Sequence, residues 1–174
     1  LCRIKNQHNI SDIENYLTVK GYSGQENWRF SLDPTTLTGN DDKGGLIMSE
    51  KKAIQTDAAP RAIGPYSQAV MAGNMFFASG QLGIDPATGK LVEGGAKEQA
   101  RQALKNIHAL LEAAGLNFNN VVQVQIFLAD LADFTQVNEV YKASFTEPYP
   151  ARSTFQVAGL PLAARVEIQT VAVK

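Results

Sequence analysis

From Ala100 to Ala114 the apolar residues Ala100, Ala103, Leu104, Ile107, Leu110, Leu111 and Ala114 recur at steps of three and four, while Lys97, Glu98, Arg101, Lys105 and Glu112 fall elsewhere. That spacing predicts an amphipathic helix with one apolar stripe, stopped by Gly115 in a left-handed turn. The stripe is small at one end, which suits close packing across a sheet. A few residues on, Val121–Leu128 alternates as a half-buried or central strand does. A helix beside a strand, each with a face to bury, commits this part of the chain to a layer of helix on sheet.

The flanking segments extend that layer. Before the helix, Ala53 to Thr56, a segment within Ile63 to Met71, and Met75 to Leu82 read as strands. Gly73-Asn74 is the tight turn of a hairpin, and Leu91-Val92 follows the turn cluster Asp85 to Lys90. After Leu128, Asp133 is expected to cap a second helix, with Gln136 completing a capping box and Phe134, Val137, Tyr141 and Phe145 on its apolar side. Thr154 to Val157 and Val166 to Val173 are the last strands. The order β-β-β-α-β-α-β-β is α+β, a sheet covered on one face by two helices. Val166, Ile168, Val171 and Val173 do not share one parity, so both faces of the last strand are expected to be apolar somewhere along its length. The helix-free face then calls for a partner, most simply a second copy in a closed ring.

Residues 1 to 47 read differently. They are polar and rich in turn formers, as in Gly39-Asn40-Asp41-Asp42-Lys43-Gly44-Gly45, with no sustained apolar period; Ile10, Ile13, Tyr16 and Leu17 suggest at most a turn or two of amphipathic helix. Met48-Ser49-Glu50-Lys51-Lys52 resembles an ordinary cytosolic start. The expectation is an N-terminal extension over 1–47, flexible or an artefact of the reading frame or of cloning, and one domain over 48–174.

Composition narrows the function. A net charge of -1 provides no basic field for nucleic acid or an anionic membrane. The single cysteine, Cys2, and the two histidines, His8 and His108, form no disulfide and no metal-ligand pattern, so neither metal nor cofactor is expected and a reducing, cytoplasmic setting fits. No apolar run approaches the roughly 18 residues of a membrane span. His108 lies off the helix stripe and reads as a surface residue. There is no Ser-His-Asp or Cys-His arrangement and no phosphate-cradling glycine loop.

Two charged residues stand out. Arg152, in Pro150-Ala151-Arg152-Ser153-Thr154-Phe155, is delivered by a segment that Pro148 and Pro150 stiffen. A guanidinium there is either a solvated charge or structural salt bridge, or a fork that grips both oxygens of a small carboxylate. Glu167, between Val166 and Ile168, either points to solvent or faces a cleft where it can position or deprotonate water. Tyr66 is packing or a cleft hydroxyl. Ser79 offers a hydroxyl, and Gly80 a backbone that a ligand can approach closely.

These residues resemble a known family. Gly64-Pro65-Tyr66-Ser67-Gln68-Ala69, Ala78-Ser79-Gly80-Gln81, Asp133-Phe134 through Val137-Asn138, and above all Pro150-Ala151-Arg152-Ser153 followed at family spacing by Val166-Glu167-Ile168 are similar to the motifs of the RidA (YjgF-like) family over 48–174. The resemblance implies a chorismate-mutase-like α+β fold, a mixed sheet with two helices on one face. It also implies a homotrimer whose sheets pack together with clefts between subunits. The implied activity is hydrolysis of reactive 2-imino acids, the enamine and imine products of pyridoxal-phosphate enzymes, to 2-keto acids and ammonia. It assigns Arg152 to the substrate carboxylate, Glu167 to the water or imine nitrogen, and Tyr66, Ser79, Gly80 and Asn138 to cleft contacts. Thr154 stands where many relatives carry cysteine, which bears on substrate size or oxidative sensitivity. A different class of function stays open: a non-catalytic metabolite-binding or regulatory module for small 2-keto acids. RNA cleavage has little support in the charge, and on a chaperone role the sequence is silent.

Overall fold

The computed structural model describes residues 16–20, 27–31 and 50–174, and the chain divides into two compact units, Leu1–Ile47 and Met48–Lys174. In the first unit, β1 (Tyr16–Lys20) pairs antiparallel with β2 (Asn27–Ser31). Tyr16 and Leu17, expected in a helical turn, are therefore in a strand, with Leu17 opposite Phe30 and Val19 opposite Trp28; β-branched and aromatic residues favour that pleated setting. Ile10 and Ile13 lie outside the described residues.

The second unit is α+β. Its strands are β3 (Lys51–Ile54), β4 (Ala69–Ala72), β5 (Met75–Ala78), β6 (Gln81–Leu82), β7 (Ile84–Asp85), β8 (Lys90–Leu91), β9 (Val121–Leu128), β10 (Ala151–Gln156) and β11 (Val166–Val173). Its helices are α1 (Ala96–Ala113) and α2 (Phe134–Ser144). The main sheet runs β10-β9-β11-β5-β4-β3, with β6 also on β11. It is mixed, because β10 runs parallel to β9 while the remaining pairs are antiparallel. Among the described residues no helix is long and apolar enough to cross a membrane.

The helix-facing side of the sheet is the core. Val124, Ile126 and Leu128 of β9 and Val166, Ile168 and Ala172 of β11 are buried with the α1 stripe of Ala100, Ala103, Leu104, Ile107, Leu110 and Leu111. Strand β11 alternates strictly: Val166, Ile168, Thr170 and Ala172 are buried, while Glu167, Gln169, Val171 and Val173 are half-buried on the other face. Facing the same way as those four, by register, are Met75 and Phe77 of β5 and Phe127 and Phe155. Phe77 is 39% exposed and Phe155 50%, and the rings of Phe127 and Phe155 stack at 6.4 Å. One side of the sheet is thus packed and the other carries open aromatic surface.

Several expected details differ. The strand that should run from Met75 to Leu82 breaks at Ser79-Gly80, and β8 pairs with β7 rather than joining the main sheet. The first strand stops at Ile54 because both backbone groups of Thr56 bond instead to the Gln68 side chain. Asp133 precedes α2 but makes no side-chain cap. Its carboxylate accepts from Gln136 Nε2 at 2.6 Å and from Arg165 Nε and Nη2 at 2.8 and 2.6 Å, so the buried acid is spent on a charge pair that ties α2 to the start of β11. Phe134 leaves the apolar side of α2, which consists of Val137, Val140, Tyr141 and Phe145.

Candidate functional site

Strand β10 is the sheet edge, and its parallel register places Arg152 opposite Val124. Val124 is fully buried beneath the helices, so the Arg152 side chain leaves the sheet on the helix side and meets α2. There Nη1 donates to Asn138 Oδ1 at 2.7 Å. The guanidinium carbon lies 4.5 Å from the centroid of the Tyr141 ring and 5.8 Å from that of Phe134. Phe134, Asn138 and Tyr141 are spaced i, i+4 and i+7, which places all three on one helical stripe. Among the described residues no carboxylate pairs with Arg152, although the cation is held from one side by an amide and from another by a ring. The recess around it, of about 420 Å³, is completed by Lys142, Glu147, Tyr149 and Pro150. Thr154, two residues along and on the same face, is half-buried, and its Oγ1 has no partner among the described residues.

Glu167 occupies a different place. It pairs with Phe127 of β9 and Leu82 of β6 on the helix-free face, half-buried and without an ion-pair partner among the described residues. Desolvation raises its pKa above the ordinary carboxylate value of 4.5. Gly80 makes room for it: a β-carbon on Gly80 would stand 2.7 Å from Glu167 Cδ and closer still to Oε1. Tyr66, Ser79, Gly80, Ile63 and Leu162 line the same recess of about 430 Å³. The Tyr66 hydroxyl accepts from the Ile63 N–H at 3.4 Å and is otherwise open. Ser79 Oγ donates to the Ser67 carbonyl at 2.7 Å, which leaves its lone pairs rather than its proton for a ligand.

Buried amides build the walls. Gln68 Nε2 donates to the carbonyls of Thr56, Ala59 and Pro60 at 3.0, 3.1 and 2.8 Å, while its Oε1 accepts from Thr56 N–H at 2.9 Å, so one side chain shapes the loop beside Tyr66. Asn106 Nδ2, in α1, donates to the Leu82 and Ile84 carbonyls at 3.2 and 2.9 Å. Such fully satisfied groups fix backbone position in a way apolar contacts alone do not.

The structure therefore brings Tyr66, Ser79 and Gly80 to Glu167, and Asn138 to Arg152 with Thr154 on the same face of β10, but does not bring the two groups together. Arg152 aligns with Val124 and Glu167 with Phe127, three residues apart on β9, and an odd separation on a strand means opposite faces. A small acid cannot touch both within one chain. Sequence reasoning missed the roles of Phe134 and Tyr141, assigned to the helix core; the signal was an amide at i+4 between aromatics at i and i+7. It also missed Arg165 as the partner of Asp133 and left Gln68 without a role.

The family model described as Endoribonuclease L-PSP matches residues 56–174. The chain is 54% identical over 124 residues to the 2-iminobutanoate/2-iminopropanoate deaminase of Bos taurus, covering 71% of this chain and 90% of that protein. Among solved structures it is similar to RidA from the Antarctic bacterium Psychrobacter sp. PAMC 21119, with 51% identity, a TM-score of 0.69 and coverage of 71% of this chain and 99% of the other. E. coli TdcF with bound serine matches with 44% identity and a TM-score of 0.67, over 71% of this chain and 98% of that one.

Proposed function

The chain belongs to the Endoribonuclease L-PSP family, which includes the RidA and YjgF proteins, and on that premise we propose that it hydrolyses 2-imino acids to 2-keto acids and ammonia. The observation that carries the reading is a pair of charges in separate recesses, each without an ion-pair partner among the described residues: a cation held in place by an amide and a ring, and a desolvated carboxylate. The domain responsible is 48–174.

We assign the two recesses to one cleft shared between copies, in which Arg152 of one chain faces Glu167, Tyr66, Ser79 and Gly80 of a neighbour. The exposed apolar side of the sheet, with Met75, Phe77 and Phe155, is the surface that brings the copies together, and a cyclic trimer is the assembly assigned. The substrate carboxylate lies on the Arg152 guanidinium, whose other edge Asn138 occupies. Glu167 takes a proton from water as its oxygen adds to the iminium carbon, then returns that proton to the nitrogen. The C–N bond breaks as the hydroxyl gives its proton to Glu167, which passes it to the departing ammonia, so iminium and water become keto acid and ammonium. An iminium carbon is already electrophilic; the protein supplies position and one acid/base group, together worth several powers of ten in rate. The family description names an RNA-cleaving activity, but a net charge of -1 lends this chain no polyanion-binding field, and imine hydrolysis is preferred.

The test couples the protein to a threonine dehydratase and follows 2-oxobutanoate release against semicarbazide capture of the free imine. Wild type is expected to accelerate release, and Arg152→Ala, folded by its melting profile, to abolish the acceleration. If wild type binds 2-oxobutanoate but leaves release unchanged, the protein is a metabolite-binding module instead.

A further inference from the structure

Arg152 is exposed and on an edge strand, and such a side chain ordinarily samples many rotamers, each of which would aim its fork elsewhere. It is restrained here by the i, i+4, i+7 stripe of α2. Asn138 fixes one nitrogen at 2.7 Å, but a single amide bond leaves the guanidinium free to swing about it. The Tyr141 ring removes that freedom, since its centroid is 4.5 Å from the guanidinium carbon and the ring itself is buried, clamped at 4.5 Å by Phe145. The Tyr141 hydroxyl takes no part in this restraint; it is buried, without a hydrogen-bond partner among the described residues, and burial raises its pKa.

We propose that Tyr141 is a positioning residue, whose ring face rather than hydroxyl is the platform that holds the Arg152 guanidinium in register for a substrate carboxylate. Phe134, 5.8 Å from the same carbon, is a weaker second contact. As a statement about turnover this rests on the deaminase reading; as a statement about Arg152 it does not. A cation over a buried ring is preorganised before ligand arrives, so losing the platform weakens ligand capture more than the chemical step.

The experiment compares wild type, Tyr141→Phe and Tyr141→Leu by two readouts: the NMR signal of the Arg152 Nε–H group, for its ring-current shift and order, and the kinetics of imine hydrolysis. Wild type and Tyr141→Phe should share a shifted, ordered signal and a KM within twofold of each other. Tyr141→Leu should give an unshifted, mobile signal and raise KM about tenfold with kcat within twofold. A mobile, unshifted Arg152 signal in wild type overturns the proposal, and keeps it falsifiable even if Tyr141→Leu melts early. Loss of the signal in Tyr141→Phe equal to that in Tyr141→Leu also overturns it, by making the hydroxyl the essential group. If wild type hydrolyses no imine, the deaminase reading fails while the Arg152 signal still decides the platform.

Discussion

Replacing Gly80 by alanine should separate catalysis from stability if Glu167 acts at the reacting atoms as proposed. The new β-carbon would lie 2.7 Å from Glu167 Cδ, whereas ordinary contact begins at 3.4 Å, so the carboxyl carbon must retreat by at least 0.7 Å and Oε1, which is nearer, by more. The three atoms nearest that carbon all belong to the Glu167 side chain, and a flexible side chain on a half-open face can swing aside at little expense. Alanine also reduces the freedom of the unfolded chain, by about 0.4–1 kcal/mol, which offsets part of the clash. The net change in folding free energy should therefore stay within about 1 kcal/mol of wild type. Catalysis has no such tolerance. Moving a catalytic group by about 1 Å can lower the rate about a hundredfold, equivalent to about 2.7 kcal/mol of transition-state stabilisation. The assay is the dehydratase-coupled release of 2-oxobutanoate, run beside urea melts of the same preparations. A Gly80→Ala enzyme with wild-type kcat/KM and unchanged stability would refute the placement of Glu167 at the reacting atoms; a collapsed melt would refute the claim that the clash is confined to its side chain.

Two other substitutions test separate parts of the structure. Burial raises the Glu167 pKa above 4.5, so the folded state holds that proton more tightly than the unfolded chain; the associated stabilisation is complete below the unfolded value and is lost as pH rises through the folded one. Glu167→Gln, which does not titrate, should accordingly gain in Tm relative to wild type as pH rises from below the ordinary carboxylate value through the raised titration of Glu167, and a gap independent of pH would refute the desolvation. Leu162 and Ala163, beside the Glu167 recess, are both left-handed, with φ of 58° and 54°. Ala163→Gly relieves about 1–2 kcal/mol at one of them against about 0.4–1 kcal/mol of added freedom in the unfolded chain, so it should stabilise the protein by about 0.5–1 kcal/mol net in denaturant melts; a loss of stability would show that the loop is not strained there.

How far the sequence reached depends on which physics was local. The α1 stripe and the bounds of β9 and β11 could be read because apolar period and strand alternation act over neighbouring residues. The break at Ser79-Gly80 could not, because the side chain that stands against its glycine is that of Glu167, far away in sequence. Asp133 marked the start of α2, yet its backbone is already helical at the end of the 3-10 turn Leu131–Asp133, which Asp130 caps, so its carboxylate is free to pair with Arg165. Arg152 and Glu167 stood out as anomalies, an arginine behind two prolines and an acid among β-branched residues. That they leave the sheet in opposite directions needed the register of a third strand, β9, which neither local segment contains.

This divergence has a consequence at the level of mixed populations. On the proposed shared cleft, a chain with Arg152→Ala and a chain with Glu167→Gln should each be inactive alone, but lack different halves of it. Co-refolded in equal amounts, they should form some junctions in which the intact arginine of one variant meets the intact glutamate of the other, and about one cleft in four would be whole whatever the size of the proposed ring. Two dead preparations would together recover about a quarter of wild-type turnover, and would lose it again on dilution into an excess of either.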